Sequence, residues 1–434
     1  MEKKIGKVKR IKGELRVPSD KSISHRAIIL PSLAEGKSVV KNFLKSGDTL
    51  TTLNCYKQLG VKIKEKDGIL EIEGVGLNGF KEPKDILDMG NSGTTTRLTL
   101  GVLASQNFFT ALTGDNSLIK RPMKRITEPL SQMGARIDGR EEGNKLPLAI
   151  RGGKLKGIKF FNKKSSAQVK SALLLAGLNA DGETEIEEPV KSRDHTEKLL
   201  KAMGVSLDIE EGESYKVKLL GNINKLEPIE IDVPADPSSA AFFVATAVLV
   251  PKSEIVLKDV LVNPTRDGFF KKLKEMGAEI EYINLREKAG EPVADIYAKY
   301  SPNLKGIRIT KSDVPSMIDE LPLLMLIATQ AEGETVITGA EELRVKESDR
   351  IKAVVENLRS IGVDTEELPD GVIIKGKQRI KGGIVNSFDD HRIAMGFSIL
   401  GLISEEGIQI KNSECVFISY PEFYDHLEKV IEKN

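Results

Sequence analysis

The sequence runs to 434 residues, with 65 Lys+Arg against 64 Asp+Glu for a formal charge of +1, 5% aromatic residues and no Trp. That length exceeds one ordinary core, so two domains or a repetitive architecture are expected; near-neutral charge and scarce aromatic rings argue against a nucleic-acid partner. Cys55 and Cys415 make neither a disulfide framework nor metal spacing, no apolar stretch follows Met1-Glu2-Lys3-Lys4, and the apolar runs Ala240 to Val250 and Leu321 to Ala328 are too short to cross a bilayer, so a cytoplasmic protein with no membrane partner is expected.

Lys9-Arg10-Ile11 and Leu15-Arg16-Val17 read as extended. Val17-Pro18-Ser19-Asp20-Lys21-Ser22-Ile23-Ser24-His25-Arg26 then gathers cations and serines ahead of the apolar Ala27 to Ala34. A mostly apolar helix is buried, and cations at its free N–H groups suit an anion; a capped core helix with a solvated start explains the stretch equally well. Gly36-Lys37-Ser38 ends like a phosphate-binding loop, but Pro31 stands where the first glycine belongs and a helix precedes it, so that reading is rejected. Gly74-Val75-Gly76-Leu77-Asn78-Gly79 fits GxGxxG, yet Lys81-Glu82-Pro83 follows instead of a helix, so it is a hairpin or loop. Lys66-Asp67-Gly68 and Pro369-Asp370-Gly371 mark hairpin turns.

Two series recur along the chain. Helix end, glycine and strand start repeat at Gly60, Gly134, Gly204, Gly277 and Gly362, roughly seventy or more residues apart, a period suited to small βαβ-type units. Apolar helices opened by polar clusters lie between them, at Asp20-Lys21-Ser22, Gly90 to Arg97, Ser165 to Lys170, Asp236-Pro237-Ser238-Ser239, Ile318 to Pro322 and Asp389-Asp390-His391-Arg392. Val17-Pro18-Ser19-Asp20-x-Ser22 matches Val233-Pro234-Ala235-Asp236-x-Ser238, which places crossovers near 17–20 and 232–236. The expected domains are 19–233 and 1–18 with 234–434, three units in each. Helix N-termini converging on one face of each domain would enclose an anion-attracting cleft.

Arg344-Val345-Lys346-Glu347-Ser348-Asp349-Arg350 is the densest charge run, and by itself reads most simply as a solvated helix start. Asp115-x-Ser117-x-x-x-Arg121-Pro122-Met123-x-Arg125 adds cations, with Pro122 suited to a first helical turn. The four histidines lack paired ligand spacing, so no metal site is expected, and no nucleophile elbow occurs. The cleft candidates are Lys21, Arg26, Arg121, Lys346, Arg350 and Arg392, with the acids Asp319 and Glu347. Fixed cations call for a ligand bearing several negative charges, and two carboxylates beside lysine call for proton transfer.

These residues resemble the 5-enolpyruvylshikimate-3-phosphate synthases, or 3-phosphoshikimate 1-carboxyvinyltransferases. The resemblance rests on Asp20 to Arg26, Gly90-Asn91-Ser92-Gly93-Thr94, Arg121-Pro122-Met123, Ser166 to Ala172, Arg344 to Arg350 and Asp390-His391-Arg392, in the family's order across nearly the whole chain. The wording is closest to the branch called class II. The resemblance implies an α/β two-domain enolpyruvyl transferase fold, an inside-out α/β barrel of three βαβαββ units per domain that closes on substrate. It implies transfer of the enolpyruvyl group of phosphoenolpyruvate to the 5-hydroxyl of shikimate 3-phosphate, without a cofactor; a monomer is expected.

By position, the resemblance gives Lys21 contact with both substrates and a part in proton transfer, and gives Ser22, Arg26, Ser166, Ala167, Gln168, Asp319 and Lys346 to shikimate 3-phosphate. Gly93, Arg121, Gln168, Arg350 and Arg392 go to phosphoenolpyruvate. Asp319 becomes the base for the 5-hydroxyl, and Glu347, as a desolvated acid, the proton donor to the methylene carbon. Ala167 replaces a serine of many relatives, Glu341-Glu342 lacks an asparagine some carry, and Cys415 to Pro421 lacks a lysine that contacts phosphoenolpyruvate; Arg193 is assigned to the shikimate side. Gly93 implies sensitivity to glyphosate. The sister transferase acting on UDP-N-acetylglucosamine needs a reactive cysteine that Asp115 to Arg125 does not contain. A non-catalytic anion binder would gain nothing from Asp319 and Glu347, and an RNA-end enzyme fits poorly with neutral charge.

Overall fold

The structure is a computed structural model and describes residues 1–432. Contacts divide the described residues into two compact units: Ser19–Val233 with Glu287–Glu291, and Met1–Pro18 with Pro234–Arg286 and residues 292–432. Glu287–Glu291 is the tip of the hairpin made by strands Glu279–Lys288 and Glu291–Lys299, and no boundary signal in the sequence marks it.

The first unit holds three four-stranded sheets and the second holds sheets of three, four and five strands, with one parallel-then-antiparallel order recurring among them. In the first unit, Glu35–Lys41 pairs parallel with Glu230–Asp232 and antiparallel with Ile69–Val75, which Lys62–Lys66 flanks antiparallel. Alternation builds this sheet: Val40, Ile63, Leu70 and Ile72 are buried while Lys62, Lys64, Glu65 and Glu73 stay exposed. Asp67 and Gly68 both take positive φ in the two-residue turn, as a hairpin matched to strand twist requires. The same parallel-then-antiparallel order returns around Phe109–Thr113 and Glu183–Glu188, and in the second unit around Gly333–Ile337. The opening strand Arg10–Leu15 pairs parallel with Glu254–Leu261.

The apolar sheet faces cover helices that are buried on nearly every side. In the first unit these are Lys21–Ser32, Gly93–Leu103 and Ala167–Gly177; in the second they are Pro237–Leu249, Leu321–Ala328 and His391–Gly401. All six start at the polar clusters of the sequence pattern. Carboxylates or hydroxyls cap four of them: Asp20 accepts from Ile23 N, Ser92 from Thr95 N, Asp236 from Ser238 N and Asp390 from Arg392 N. Gly101 lets two helices touch, because a Cβ there would lie 2.3 Å from the Ala172 carbonyl oxygen. Gly60, Gly134, Gly204, Gly277 and Gly362 all have positive φ behind helices, as the repeat predicts. Pro122 differs from expectation: it precedes the Lys124–Met133 helix instead of entering its first turn. Among the described residues no helix is long and apolar enough to cross a membrane.

Candidate active site

In the first unit the Lys21–Ser32 helix presents Lys21 at its start. Its Nζ donates to Asp48 Oδ2 at 3.2 Å. Burial raises the Asp48 pKa, but Lys21 and its neighbours outweigh that and hold it below the usual carboxylate value. One turn on, buried Arg26 donates from Nε to Thr196 Oγ1 and from Nη2 to Ser171 Oγ, both at 2.7 Å, and from Nη1 to the Ser22 carbonyl at 3.0 Å. Burial brings its pKa down to about 10, and the nearby charge of Arg193 acts in the same direction. Arg26 and Arg193 are therefore electrostatic neighbours, a concentration of positive charge suited to an anion.

A second group surrounds Arg97. Its Nη1 donates to Gln168 Oε1 at 2.7 Å and its Nη2 to the Pro122 carbonyl at 3.3 Å, while Gln168 Nε2 donates to Thr94 Oγ1 at 2.9 Å. A Cβ on Gly93 would fall 2.8 Å from Arg97 Nη1 and 3.6 Å from Arg121 Nη1. Arg121 is half-buried and donates from Nη2 to Asn91 Oδ1 at 2.8 Å. Gly93, Arg121 and Gln168, far apart in sequence, thus meet around one guanidinium. Ser166 and Ala167 stand at the neighbouring helix start, where Asn162 Nδ2 donates to the Ser166 carbonyl at 2.9 Å.

In the second unit the centre is Asp319. Its carboxylate lies 3.7 Å from Lys346 Nζ, 3.5 Å from Arg350 Nη1 and 4.0 Å from Arg392 Nη2. Arg392 Nη1 also donates to the Asp319 carbonyl at 3.1 Å. Arg350 is buried; it donates from Nε to Asp390 Oδ2 at 2.8 Å and from Nη2 to Glu347 Oε2 at 2.7 Å. Burial opposes both charges of the Arg350–Asp390 pair, yet mutual attraction, with Glu347 adding to it for Arg350, raises the arginine pKa and lowers the aspartate's. Burial keeps His391 neutral, with a pKa of about 3. Glu347 is exposed and ion-paired, not desolvated as the sequence suggests. The desolvated acid is Glu320: burial raises its pKa, and Ser238 Oγ donates to it.

Asp48, Arg97, Glu320 and Asp390 take part in these groups without having been picked out by role. Arg97 closes the Gly90 to Arg97 run, and an arginine inside a buried helix was the signal available. Asp48 lies in no motif. Among the described residues, Asp194, His195 and Glu291 bring ligand atoms within 4.8 Å of one another, a cation-like spacing. His195 Nδ1 is 2.7 Å from Glu291 across 96 residues, and Lys191 Nζ is 3.2 Å from Asp194, so a lysine already answers part of that charge. No local spacing could have shown the group.

Chemically, the first unit offers cations and helix N-termini for phosphate and carboxylate, and the second offers arginines beside two acids able to move protons. The family model for EPSP synthase (3-phosphoshikimate 1-carboxyvinyltransferase) matches residues 5–427. The chain is 72% identical over 431 residues to the 3-phosphoshikimate 1-carboxyvinyltransferase of Persephonella marina, covering 99% of this chain and 100% of the relative. It is 56% identical over 431 residues to that of Aquifex aeolicus, with 99% and 100% covered. An EPSP synthase structure from Acinetobacter baumannii superposes with a TM-score of 0.90 at 45% identity, over 100% of this chain and 98% of that one. The enolpyruvyl transferase NikO from Streptomyces tendae shares the fold at 14% identity, with a TM-score of 0.77 over 99% and 97%.

Proposed function

Because the chain belongs to the EPSP synthase (3-phosphoshikimate 1-carboxyvinyltransferase) family, we propose that its substrate contacts and proton transfers fall to the residues these clusters gather. The activity is the family's, transfer of the enolpyruvyl group of phosphoenolpyruvate to shikimate 3-phosphate in the shikimate pathway. Lys21, Ser22, Arg26, Ser166, Ala167, Gln168, Arg193, Asp319 and Lys346 bind the acceptor; Lys21, Gly93, Arg121, Gln168, Arg350 and Arg392 bind the donor. The observation that carries this reading is Asp319, ringed by Lys346, Arg350 and Arg392 at 3.7, 3.5 and 4.0 Å, with Glu347 on the same Arg350.

In this account Glu347 protonates the donor's methylene, the adjacent carbon gains positive character, and the 5-hydroxyl attacks it while Asp319 takes the hydroxyl proton. In the tetrahedral adduct the C–O bond to phosphate then breaks, the Glu347 carboxylate takes back a methyl proton as the double bond is restored, and the proton held by Asp319 passes to the departing phosphate. A donor anion gripped by Arg350 draws that guanidinium from Glu347 and adds negative charge beside it, both of which favour the protonated acid. Three cations around Asp319 favour its charged form, as a base requires. Asp319→Asn and Glu347→Gln test the assignment: each loses turnover, while acceptor binding weakens by no more than about tenfold, the larger change falling on Asp319→Asn.

The two units are taken as the domains 19–233 and 1–18 with 234–434. The Ser166-Ala167-Gln168 and Arg344 to Arg350 wording supports the class II branch. Two buried free cysteines support a cytoplasmic location. The enzyme is read as a monomer, sensitive to glyphosate through Gly93.

A further inference from the structure

Lys170 is wholly buried in the Ala167–Gly177 helix, and its ammonium lies 2.9 Å from Glu188 Oε2 and 2.9 Å from Glu197 Oε1. It also donates to the Ser192 carbonyl at 3.2 Å and sits 4.7 Å from the centre of the Tyr215 ring. Burial opposes its charge, but the two carboxylates outweigh burial and raise its pKa. With buried Arg26, whose charge Glu197 also supports, the group balances two cations against two acids.

Glu188 reaches both loops of the acceptor side. It accepts from Ser192 N at 3.0 Å and from Ser192 Oγ, which fixes the residue before Arg193. Its Oε1 accepts from Asn162 Nδ2 at 2.7 Å, and the same amide donates to the Ser166 carbonyl at 2.9 Å, while Ser166 N donates back to Asn162 Oδ1 at 3.3 Å. Ser165, at φ 47°, is held in a left-handed conformation, and its Oγ accepts from Val190 N at 3.2 Å. Lys170 and Glu197 also adjoin Ser171 and Thr196, the two hydroxyls that hold Arg26.

We infer that the buried Lys170–Glu188–Glu197 group, acting through Asn162 and Ser192, is a positioning network that sets Ser166, Arg193 and Arg26 for the acceptor's phosphate. The inference rests on the assignment of those residues to shikimate 3-phosphate. Removing the network loosens acceptor binding while leaving the donor residues around Arg97 in place.

Asn162→Ala is the direct test, since it cuts the link from Glu188 to Ser166 without unpairing a buried charge. Lys170→Met, which strands two carboxylates and can fail to fold, is the second variant, and Ser166→Ala is the control. Calorimetry with shikimate 3-phosphate and steady-state kinetics are measured for each. The expected result for Asn162→Ala is an acceptor Kd and KM raised about tenfold, with kcat and the phosphoenolpyruvate KM within about twofold of the parent. Unchanged acceptor binding in Asn162→Ala alone, or an equal rise in both KM values, overturns the inference. Unchanged binding in both Asn162→Ala and Ser166→Ala overturns the site assignment and the inference with it.

Discussion

Arg97 Nη1 fills the space that a methyl group on Gly93 would need, 2.8 Å away, and the same guanidinium holds Gln168 and the Pro122 carbonyl. Gly93→Ala therefore displaces Arg97 and disturbs together the residues proposed to bind the donor. We expect the phosphoenolpyruvate KM to rise about tenfold, with a smaller loss of shikimate 3-phosphate binding in calorimetry, since of these residues only Gln168 is assigned to both substrates. The acids carry a different expectation. Asp319→Asn and Glu347→Gln each lower kcat by about 10²–10⁴-fold, the usual worth of general acid–base catalysis, while the acceptor Kd stays within about tenfold; single-turnover phosphate release measures the loss. At this scale the sequence was legible where candidate residues sit in contiguous signatures that the structure gathers into one cluster, as for Lys346 to Arg350. It was silent on Asp48, Arg97 as a hub and Glu320, because each acquires its role from residues brought near only by folding. Glu347 shows the converse: its position was readable, but its pairing with Arg350 depends on the turn that precedes the Arg350–Ser360 helix.

Helix starts and stops were readable because capping is local chemistry. Asp20, Ser92, Asp236 and Asp390 satisfy free N–H groups a few residues on, and glycines past the helix ends take the left-handed backbone. Strand order was not readable, since the edge strand Glu230–Asp232 joins a sheet begun at Glu35, and pairing over such distances leaves no local mark. Nor was the close helix contact at Gly101, which depends on the backbone of Ala172. Gly101→Ala places a methyl group 2.3 Å from that carbonyl oxygen, so the helices must move apart. The expected cost is about 1–3 kcal/mol, read as a lowered denaturant midpoint with an unchanged m-value.

For the whole molecule, two buried histidines make stability depend on pH. His25 and His391 are both held neutral, with pKa values of about 3 set chiefly by burial. The unfolded chain takes up these protons below about pH 6.5, while the folded chain does not until about pH 3. Protons therefore favour unfolding throughout that window, and stability falls as pH falls through it. Between pH 7 and pH 5 each histidine accounts for about 2 kcal/mol of loss, and urea unfolding of His25→Asn should show a loss smaller by about that amount. The match of Val17 to Ser22 with Val233 to Ser238 is visible in the sequence, whereas nothing there marks the Glu287–Glu291 excursion, which only folding brings against the first unit. The measurement that bears most directly on the account is phosphate release from phosphoenolpyruvate with shikimate 3-phosphate or UDP-N-acetylglucosamine as acceptor, run beside Asp319→Asn and Glu347→Gln. Release with shikimate 3-phosphate alone, lost in both variants, is the predicted result; release with the sugar nucleotide, or undiminished release from either variant, would contradict it.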